Sequence, residues 1–404
     1  MKVLLAPHGT RGDVQPMLAL ALALRARGHE PSFLAPDNFL AWIRGFGFDA
    51  IGNGIDVEAL LRTAGAHFDS ARWQMRHFAE VMVPAQFASF AHAPAVDLIV
   101  GSGVQFAGAS VAEARDIPYV TAAFCPCQVP SALAPPPTVR TQTLPRWVNR
   151  AIWFVGQPIV ERLTVRLLDT HRRALGLRYN DSPGHSLFGD HIIVAADCDL
   201  APVGDDVPEF VEATDAWILH EQGALTAELD DYLSIDPPPI YVGFGSMVAA
   251  RADDLARHAI AAIRAIGGRA LIAGGWAGLD RVAGGADDVF AARAIPHAAV
   301  FPRVAAVVHH GGAGTTTSAA IAGRPQVVLP HVLDQFYWAR RVDVIGIGPR
   351  PLPVSLVTAD VLAERLDAAV NDPRISTRAA RIGDGVRERN GVDAAVDLLE
   401  QYTG

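Results

Sequence analysis

The sequence predicts an α/β protein with two parallel sheets, and three features of the chain lead to this class. Short apolar runs alternate with helical patterns in residues 3–122 and again in residues 240–330. Such alternation is typical of a parallel sheet covered by helices on both faces. A stretch with three prolines, residues 230–239, separates the two series. Glycine turns follow strand-like segments in both halves, which indicates ligand sites at the carboxyl edges of the sheets.

The first series begins with the apolar residues 3–6, which predict a buried strand at the start of the chain. A helix is expected at 16–27, because Pro16 suits a first helical turn and Gly28 suits a helix end. Later apolar runs predict strands, and alanine- or leucine-rich stretches predict helices. These further elements are strands at 32–35, 97–101 and 118–122, helices at 38–45, 106–115 and 147–175, and a proline-rich loop at 128–146.

The second series repeats the pattern after the proline-rich stretch. Its expected strands are 240–244, 269–273, 305–309 and 326–329, and its expected helices are 251–266, 315–322, 359–370, 375–388 and 391–402. The chain is therefore divided into an N-terminal domain at 1–229, a linker at 230–239 and a C-terminal domain at 240–385. The last segment, 386–404, is expected to form a helix that packs back on the N-terminal domain.

Composition excludes several classes of protein. The chain has 404 residues, 50% of them apolar, which is enough for two domains with cores of their own. A net charge of -9 argues against a nucleic-acid partner. No apolar run is long enough for a membrane span or a signal peptide, so a cytoplasmic protein is expected, as a monomer or homodimer. Cys125, Cys127 and Cys198 are expected to be buried or half-buried thiols and not metal ligands.

The segment with the most candidate ligand-binding residues starts at His309-His310 and continues through a glycine turn. Both histidines leave the end of a predicted strand, and a predicted helix follows the turn. Gly311, Gly312 and Gly314 permit a tight turn and a close approach of the backbone to a ligand. A helix N-terminus after such a turn offers free N–H groups to an anion, and His310 with the hydroxyls of Thr315 and Thr316 adds donors. The segment therefore predicts a pyrophosphate-binding cradle.

These residues resemble the donor-binding motif of the inverting UDP-glycosyltransferase-like superfamily. The resemblance implies the GT-B fold, in which two Rossmann-like domains face each other across a cleft. It implies a nucleotide-sugar co-substrate whose diphosphate is held by His310 and the turn, and whose sugar hydroxyls meet Asp334 and Gln335. The donor-binding residues implied in this way are Gly12, Ser246, Val300, His310, Gly312, Gly314, Thr315, Asp334 and Gln335.

A second glycine loop, at the end of the first strand, carries Arg11-Gly12-Asp13. It resembles the loop that holds the catalytic base in the antibiotic and sterol glycosyltransferases of the same superfamily. Asp13 is thus expected to deprotonate the acceptor hydroxyl, and the alternative is that it only caps the following helix. Asp334 is a second candidate for the base. His8 is expected to lie in the loop or on the acceptor side.

The resemblance implies an inverting glycosyltransferase that uses no metal ion and no other cofactor. The expected acceptor is a hydrophobic small molecule such as a polyketide, an antibiotic aglycone, a sterol or a lipid. UDP and dTDP both remain open as the nucleotide, because Ser318 stands where many plant relatives have an acid. The Asp197-Cys198-Asp199 match to a metal motif is interpreted as chance. The alternatives are a sugar-nucleotide-binding protein without catalysis and a sugar-nucleotide epimerase.

Overall fold

Two parallel sheets form the framework of the protein, as the alternation predicts. The computed structural model describes residues 1–64, 71–178, 188–220, 223–245, 252–275, 278–279, 286–293 and 295–403. In the N-terminal half, the strands run in the order β3-β2-β1-β4-β5-β6-β7, and all neighbouring pairs are parallel. Their bounds are β1 (Lys2–His8), β2 (Glu30–Ala35), β3 (Ala50–Gly52), β4 (Leu98–Gly103), β5 (Tyr119–Ala123), β6 (His191–Ala195) and β7 (Val211–Thr214).

The C-terminal half builds a smaller sheet in the order β10-β9-β8-β11-β12, again with parallel neighbours. In both sheets the strand that precedes the glycine loop, β1 or β11, has a neighbouring strand on each side, so the loop opens at the carboxyl edge between two other strands. The bounds are β8 (Ile240–Gly243), β9 (Ala270–Ala273), β10 (Val289–Ala292), β11 (Ala306–His309) and β12 (Gln326–Val328).

Helices cover both sheets, and none of those described is long and apolar enough to cross a membrane. In the N-terminal half they are α1 (Arg11–Ala26), α2 (Leu40–Gly45), α3 (Val57–Ala64), α4 (Ala71–His77), α5 (Val83–Phe90), α6 (Gly108–Arg115) and α7 (Arg146–Ala174). The remainder are α8 (Ala227–Leu233), α9 (Ala252–Ala265), α10 (His297–Val300), α11 (Ala313–Ile321), α12 (Gln335–Val344), α13 (Ala359–Asn371), α14 (Pro373–Arg387) and α15 (Gly391–Thr403).

The prediction that the first helix starts at Pro16 is wrong, because α1 begins five residues earlier. Thr10 is its N-cap, and the Thr10 hydroxyl accepts from the N–H of Gly12 at 3.3 Å. The carboxylate of Asp13 reaches back and accepts from the N–H of Thr10 at 2.8 Å. This reciprocal capping box satisfies two N–H groups of the first turn. Asp13 therefore lies inside the helix and not before it.

The linker predicted at 230–239 is helical in its first four residues. Thr226 caps α8 by accepting from the N–H of Leu229 at 3.3 Å. Leu229, Tyr232 and Leu233 share one helical face and are buried against the C-terminal sheet. The Tyr232 hydroxyl donates to the carbonyl of Ala270 at 2.8 Å. The spacing i, i+3, i+4 was the signal for this helix, and the adjacent prolines obscured it.

The two halves are joined by an apolar cluster and by the end of the chain. The cluster combines Cys125, Val129 and Val194 of the N-terminal half with Trp338 and Val342 of α12. Helix α15 then returns to the N-terminal half, where it packs on α1 and β7. Arg27, the residue that follows α1, contacts Asp397 and Glu400 of α15. These contacts fix how the carboxyl edges of the two sheets face each other.

Arg389 accounts for the acidic pair that matches a metal motif. Its guanidinium donates to the buried carboxylate of Asp197 at 2.7 Å and to Asp199 at 2.5 Å. Asp197 also accepts from the N–H groups of Asp199 and Leu200. Among the described residues, no group of three or more acidic, histidine or cysteine side chains could hold a metal ion. The two aspartates therefore anchor the segment that leads into α15.

Removal of the Arg389 side chain should destabilise the protein. Arg389→Ala leaves the carboxylate of Asp197 buried without its charged partner, which should lower the free energy of unfolding by roughly 2–3 kcal/mol, less than for a fully buried pair. Urea unfolding followed by circular dichroism measures this change. Arg374→Ala is the control, because its partner Asp372 forms an ion pair at the exposed surface. Equal midpoints for the two variants would contradict the anchoring role.

Candidate active site

The carboxyl ends of β1 and β11 open into one cleft between the two halves. Asp13 follows β1, and Asp334 of the C-terminal half is close enough to raise the pKa of Asp13. The charge of Arg11 is near enough to two residues of the C-terminal half to act on their pKa values: burial lowers the pKa of His297 and Arg11 lowers it further, whereas burial raises the pKa of Tyr241 and Arg11 opposes that shift. The glycine loops of both halves therefore face a common space.

The cradle after β11 is an uncapped helix N-terminus. Gly312 is the N-cap of α11, and no side chain caps this end. The first helical bond in this turn runs from the N–H of Thr316 to the carbonyl of Gly312 at 3.0 Å. The N–H groups of Ala313, Gly314 and Thr315 precede it, in the positions that carry the positive end of the helix dipole. Gly314 has open space around it, as a ligand site requires.

Glycine is required at two positions of this turn. Gly311 has φ of +92°, which strains any residue with a side chain, and a Cβ there would lie 2.9 Å from the carbonyl oxygen of Gln335. A Cβ at Gly312 would lie 2.5 Å from Nε2 of His310. The backbone therefore passes directly beside the imidazole of His310.

His310 is neutral before a ligand binds. Burial, with smaller effects from the neighbouring His309, His331 and His297, holds its pKa well below the usual value. Its Nδ1 is buried without a hydrogen-bond partner among the described residues. A neutral imidazole still has one N–H to donate, and a diphosphate oxygen would supply the charge of a strong hydrogen bond.

His309 and Gln326 hold the turn in place, and the sequence did not identify Gln326. The N–H of Gly311 donates to Nδ1 of His309 at 3.1 Å, so the proton lies on Nε2, which faces Oε1 of Gln326 at 2.9 Å. Nε2 of Gln326 donates to the carbonyl of Thr316 at 3.1 Å. Burial lowers the pKa of His309 to about 4 and keeps this chain of neutral donors intact.

The two threonines of the cradle differ in what they can do. The hydroxyl of Thr316 donates to the carbonyl of Gly312 at 2.9 Å, and its side chain is buried. The prediction that Thr316 donates to a ligand is therefore wrong, because its hydroxyl is used within the helix. Thr315 is half-buried at the open turn and keeps its place as a donor-binding candidate.

Asp334 and Gln335 lie at the start of α12, on the same side of the cleft. Burial raises the pKa of Asp334 to about 6. Gln335 is buried, and its Oε1 accepts from the N–H groups of His331 and Val332, so that oxygen shapes the loop. Leu333, directly before Asp334, has φ of +50°, a strained left-handed conformation. The loop is thus held in a strained backbone conformation, and this conformation positions Asp334.

Asp13 is half-buried at the other wall of the cleft. Burial raises its pKa to about 7, with a further increase from Asp334, while the hydrogen bond from the N–H of Thr10 opposes the shift. A Cβ at Gly9 would overlap Oδ2 of Asp13, and one at Gly103 would lie 2.9 Å from Oδ1. Two glycines therefore make room for this carboxylate.

The three remaining residues predicted to bind the donor have weaker support. Gly12 is exposed in the first turn of α1, where its N–H donates to Thr10. Val300 is fully buried, and its N–H donates to the carbonyl of Pro296 at 3.1 Å, so its N–H does not face a nucleobase. Ser246 lies outside the described residues.

Comparison with known proteins agrees with this geometry. The glycosyltransferase family 28 N-terminal domain matches residues 3–133, and the Erythromycin biosynthesis protein CIII-like C-terminal domain matches residues 277–390. Glycosyltransferase GtfE of Amycolatopsis orientalis is 37% identical over all of this chain and 98% of its own length. The vancomycin aglycone glucosyltransferase of the same organism is 36% identical over 99% of this chain and 97% of its own length.

Solved structures support the same fold. The spinosyn forosaminyltransferase SpnP has a TM-score of 0.74 at 18% identity and covers 100% of this chain and 99% of its own. Two parallel-sheet domains that face a cleft form the GT-B architecture, so the predicted fold is confirmed. The chain belongs to the glycosyltransferase family that combines these two domains.

Replacement of His310 should weaken the binding of nucleoside diphosphates. His310→Ala removes a donor beside the cradle, so the affinity for UDP or dTDP should fall roughly 10- to 100-fold, the loss expected for a hydrogen bond to a charged group. Isothermal calorimetry measures both nucleotides. His92→Ala, on the exposed surface of the N-terminal half, is the control. Unchanged affinity of His310→Ala for both nucleotides would remove this residue from the site.

Proposed function

We propose that the protein transfers a sugar, with inversion, from a UDP- or dTDP-sugar to a hydroxyl group of a natural-product aglycone. The donor would bind to the cradle of α11, and the acceptor would bind at the carboxyl edge of the N-terminal sheet. Asp13 would act as the base. The relatives that carry the names of glycosyltransferases support transfer itself, and the site supports the chemistry proposed here.

The observation that carries the proposal is the burial of the Asp13 carboxylate, which raises its pKa. Its pKa of about 7 places the carboxylate at the proton affinity that a general base needs near neutral pH. A carboxylate that served only to cap α1 would have no need for burial beside Asp334. Glycines at positions 9 and 103 keep one side of the group clear. A protein that only bound sugar nucleotides would have no use for such a carboxylate.

The transfer is a single displacement. Asp13 takes the proton of the acceptor hydroxyl while the oxygen forms a bond to the anomeric carbon of the sugar. The bond from that carbon to the diphosphate breaks, and the diphosphate leaves with the electron pair. The N–H groups of residues 313–315 and the imidazole of His310 stabilise the charge that develops there. Attack opposite to the leaving group inverts the anomeric centre.

The acceptor side is suited to an apolar molecule. Val104 directly follows β4 at this carboxyl edge and is 40% exposed, and Leu133, in the segment after β5, is 44% exposed. A glycopeptide aglycone is the first acceptor to test, because one relative at 36% identity is by name a vancomycin aglycone glucosyltransferase. The screen includes a polyketide phenol and a sterol, and it measures release of UDP or dTDP for each donor. No sugar transfer to any acceptor would contradict the proposal.

Replacement of Asp13 by asparagine should remove the catalytic base without disturbing α1. In Asp13→Asn, the side-chain amide oxygen still accepts from the N–H of Thr10, so the melting temperature should change little. Transfer should fall by roughly 10²- to 10⁴-fold, the usual effect of a positioned general base. For the wild type, kcat/KM for the acceptor should rise with pH and level off above about 7, because only the ionised carboxylate accepts a proton. A near-normal rate for the variant would transfer the role to Asp334.

We also propose that the reaction needs no metal ion. The acids that resemble a metal motif, Asp197 and Asp199, are paired with Arg389, and the α11 N-terminus supplies positive potential at the diphosphate. Transfer should therefore proceed at an unchanged rate in excess EDTA. Complete loss of activity in EDTA, with recovery on addition of magnesium or manganese, would show that this view of the leaving-group stabilisation is wrong.

A further inference from the structure

His8 is a buried imidazole that none of the steps above uses. It is the last residue of β1 and is only 1% exposed. Its Nε2 has no hydrogen-bond partner in the part of the chain that the structure describes. A buried polar atom without a partner costs free energy, so its retention points to a ligand that supplies the partner.

The neighbouring contacts determine which nitrogen of His8 carries the proton. The N–H of Ile55 donates to Oδ1 of Asn53 at 3.2 Å, which orients the Asn53 amide. The amide nitrogen Nδ2 of Asn53 then faces Nδ1 of His8 at 3.0 Å. An amide nitrogen can only donate, so Nδ1 is the unprotonated nitrogen and Nε2 carries the hydrogen. Burial, with a smaller effect from His77, lowers the pKa of His8 to about 4, so the ring stays neutral.

This tautomer excludes His8 as the base. The lone pair that could take a proton lies on Nδ1 and is already used by Asn53. The free atom, Nε2, is a donor. His8 can therefore recognise an oxygen atom but cannot deprotonate a hydroxyl through Nε2.

His8 and Asp13 lie at the same edge of the N-terminal sheet. Gly103, which pairs with His8 in the sheet, adjoins both the His8 carbonyl and the Asp13 carboxylate. His77 lies near His8, and its Nε2 is likewise buried without a partner among described residues. Trp73 stacks on His77 with ring centroids 5.0 Å apart. The unpartnered N–H of His8 therefore lies near a second unpartnered imidazole and an aromatic ring.

We propose that His8 selects the acceptor: its Nε2–H donates a hydrogen bond to a second oxygen of the aglycone while Asp13 deprotonates the reacting hydroxyl. This assignment rests on the proposed function. The oxygen is not that of the reacting hydroxyl, because a hydrogen bond donated to the nucleophile would withdraw the electron density that the attack requires. The preferred aglycones are therefore those with a second hydroxyl, ether or carbonyl oxygen next to the reacting hydroxyl.

A matched pair of small probes tests the second oxygen directly. Catechol has two adjacent hydroxyls, and 2-methylphenol has a methyl group in place of one. In the presence of UDP, the wild type should bind catechol more tightly by roughly tenfold, the effect of a partner for one buried donor. His8→Phe should lose this preference, and His8→Gln, whose amide N–H can reach the position of Nε2, should keep it. Equal preference in the wild type and His8→Phe would overturn the proposal.

The protonation of His8 gives a second, independent measurement. In protein labelled with ¹⁵N-histidine, the His8 signal, assigned by its loss in His8→Phe, should show a proton on Nε2. Catechol should shift this signal, and 2-methylphenol should shift it much less. An unprotonated Nε2, or equal shifts for the two probes, would overturn the assignment. Neither measurement needs turnover, so a failure of the proposed transfer reaction is recognised separately by the acceptor screen.

Discussion

The N-termini of two helices, α1 and α11, determine what each wall of the cleft can do. Both helices follow an interior strand and a glycine turn, so both direct free N–H groups and a positive dipole end towards the cleft. In α1 the protein supplies the anion itself, since Thr10 and Asp13 form a reciprocal capping box. In α11 the N-cap is Gly312, and no side chain caps the end. The N-terminus of α1 therefore holds a carboxylate of the protein, whereas the N-terminus of α11 is open to the anion of a ligand.

Burial then sets the protonation states in the cleft. The same desolvation raises the pKa of Asp13 and Asp334 and lowers that of His8, His309 and His310, because it opposes charge of either sign. The histidines are thereby kept as neutral groups with defined donors and acceptors. The carboxylates are brought to proton affinities near neutrality. Burial is thus the common cause of the raised pKa values of the two aspartates and of the neutral state of the histidines.

The sequence predicted the parts that depend on local pattern. The parallel sheets and the glycine turn after β11 followed from apolar runs, glycine spacing and the carboxyl-edge rule, and the opposition of Asp13 to the cradle followed from the resemblance to the glycosyltransferase superfamily. It could not predict Gln326, because the contact of that residue with His309 joins the side chains of two different strands, and the register of these strands is known only from the structure. Nor could it show that the Thr316 hydroxyl is used by Gly312, since adjacent threonines look alike until the helix phase is known.

The two walls are also coupled through charge. A nucleoside diphosphate in the cleft adds negative charge on the side that already holds Asp334, and Asp334 already raises the pKa of Asp13. An unneutralised diphosphate would raise that pKa further and leave Asp13 protonated near pH 7, where it could not act as a base. In the proposed reaction, the N–H groups of α11 and the imidazole of His310 would therefore serve two purposes. They would bind the leaving group, and they would shield Asp13 from its charge, so that the base would remain ionised with the donor bound.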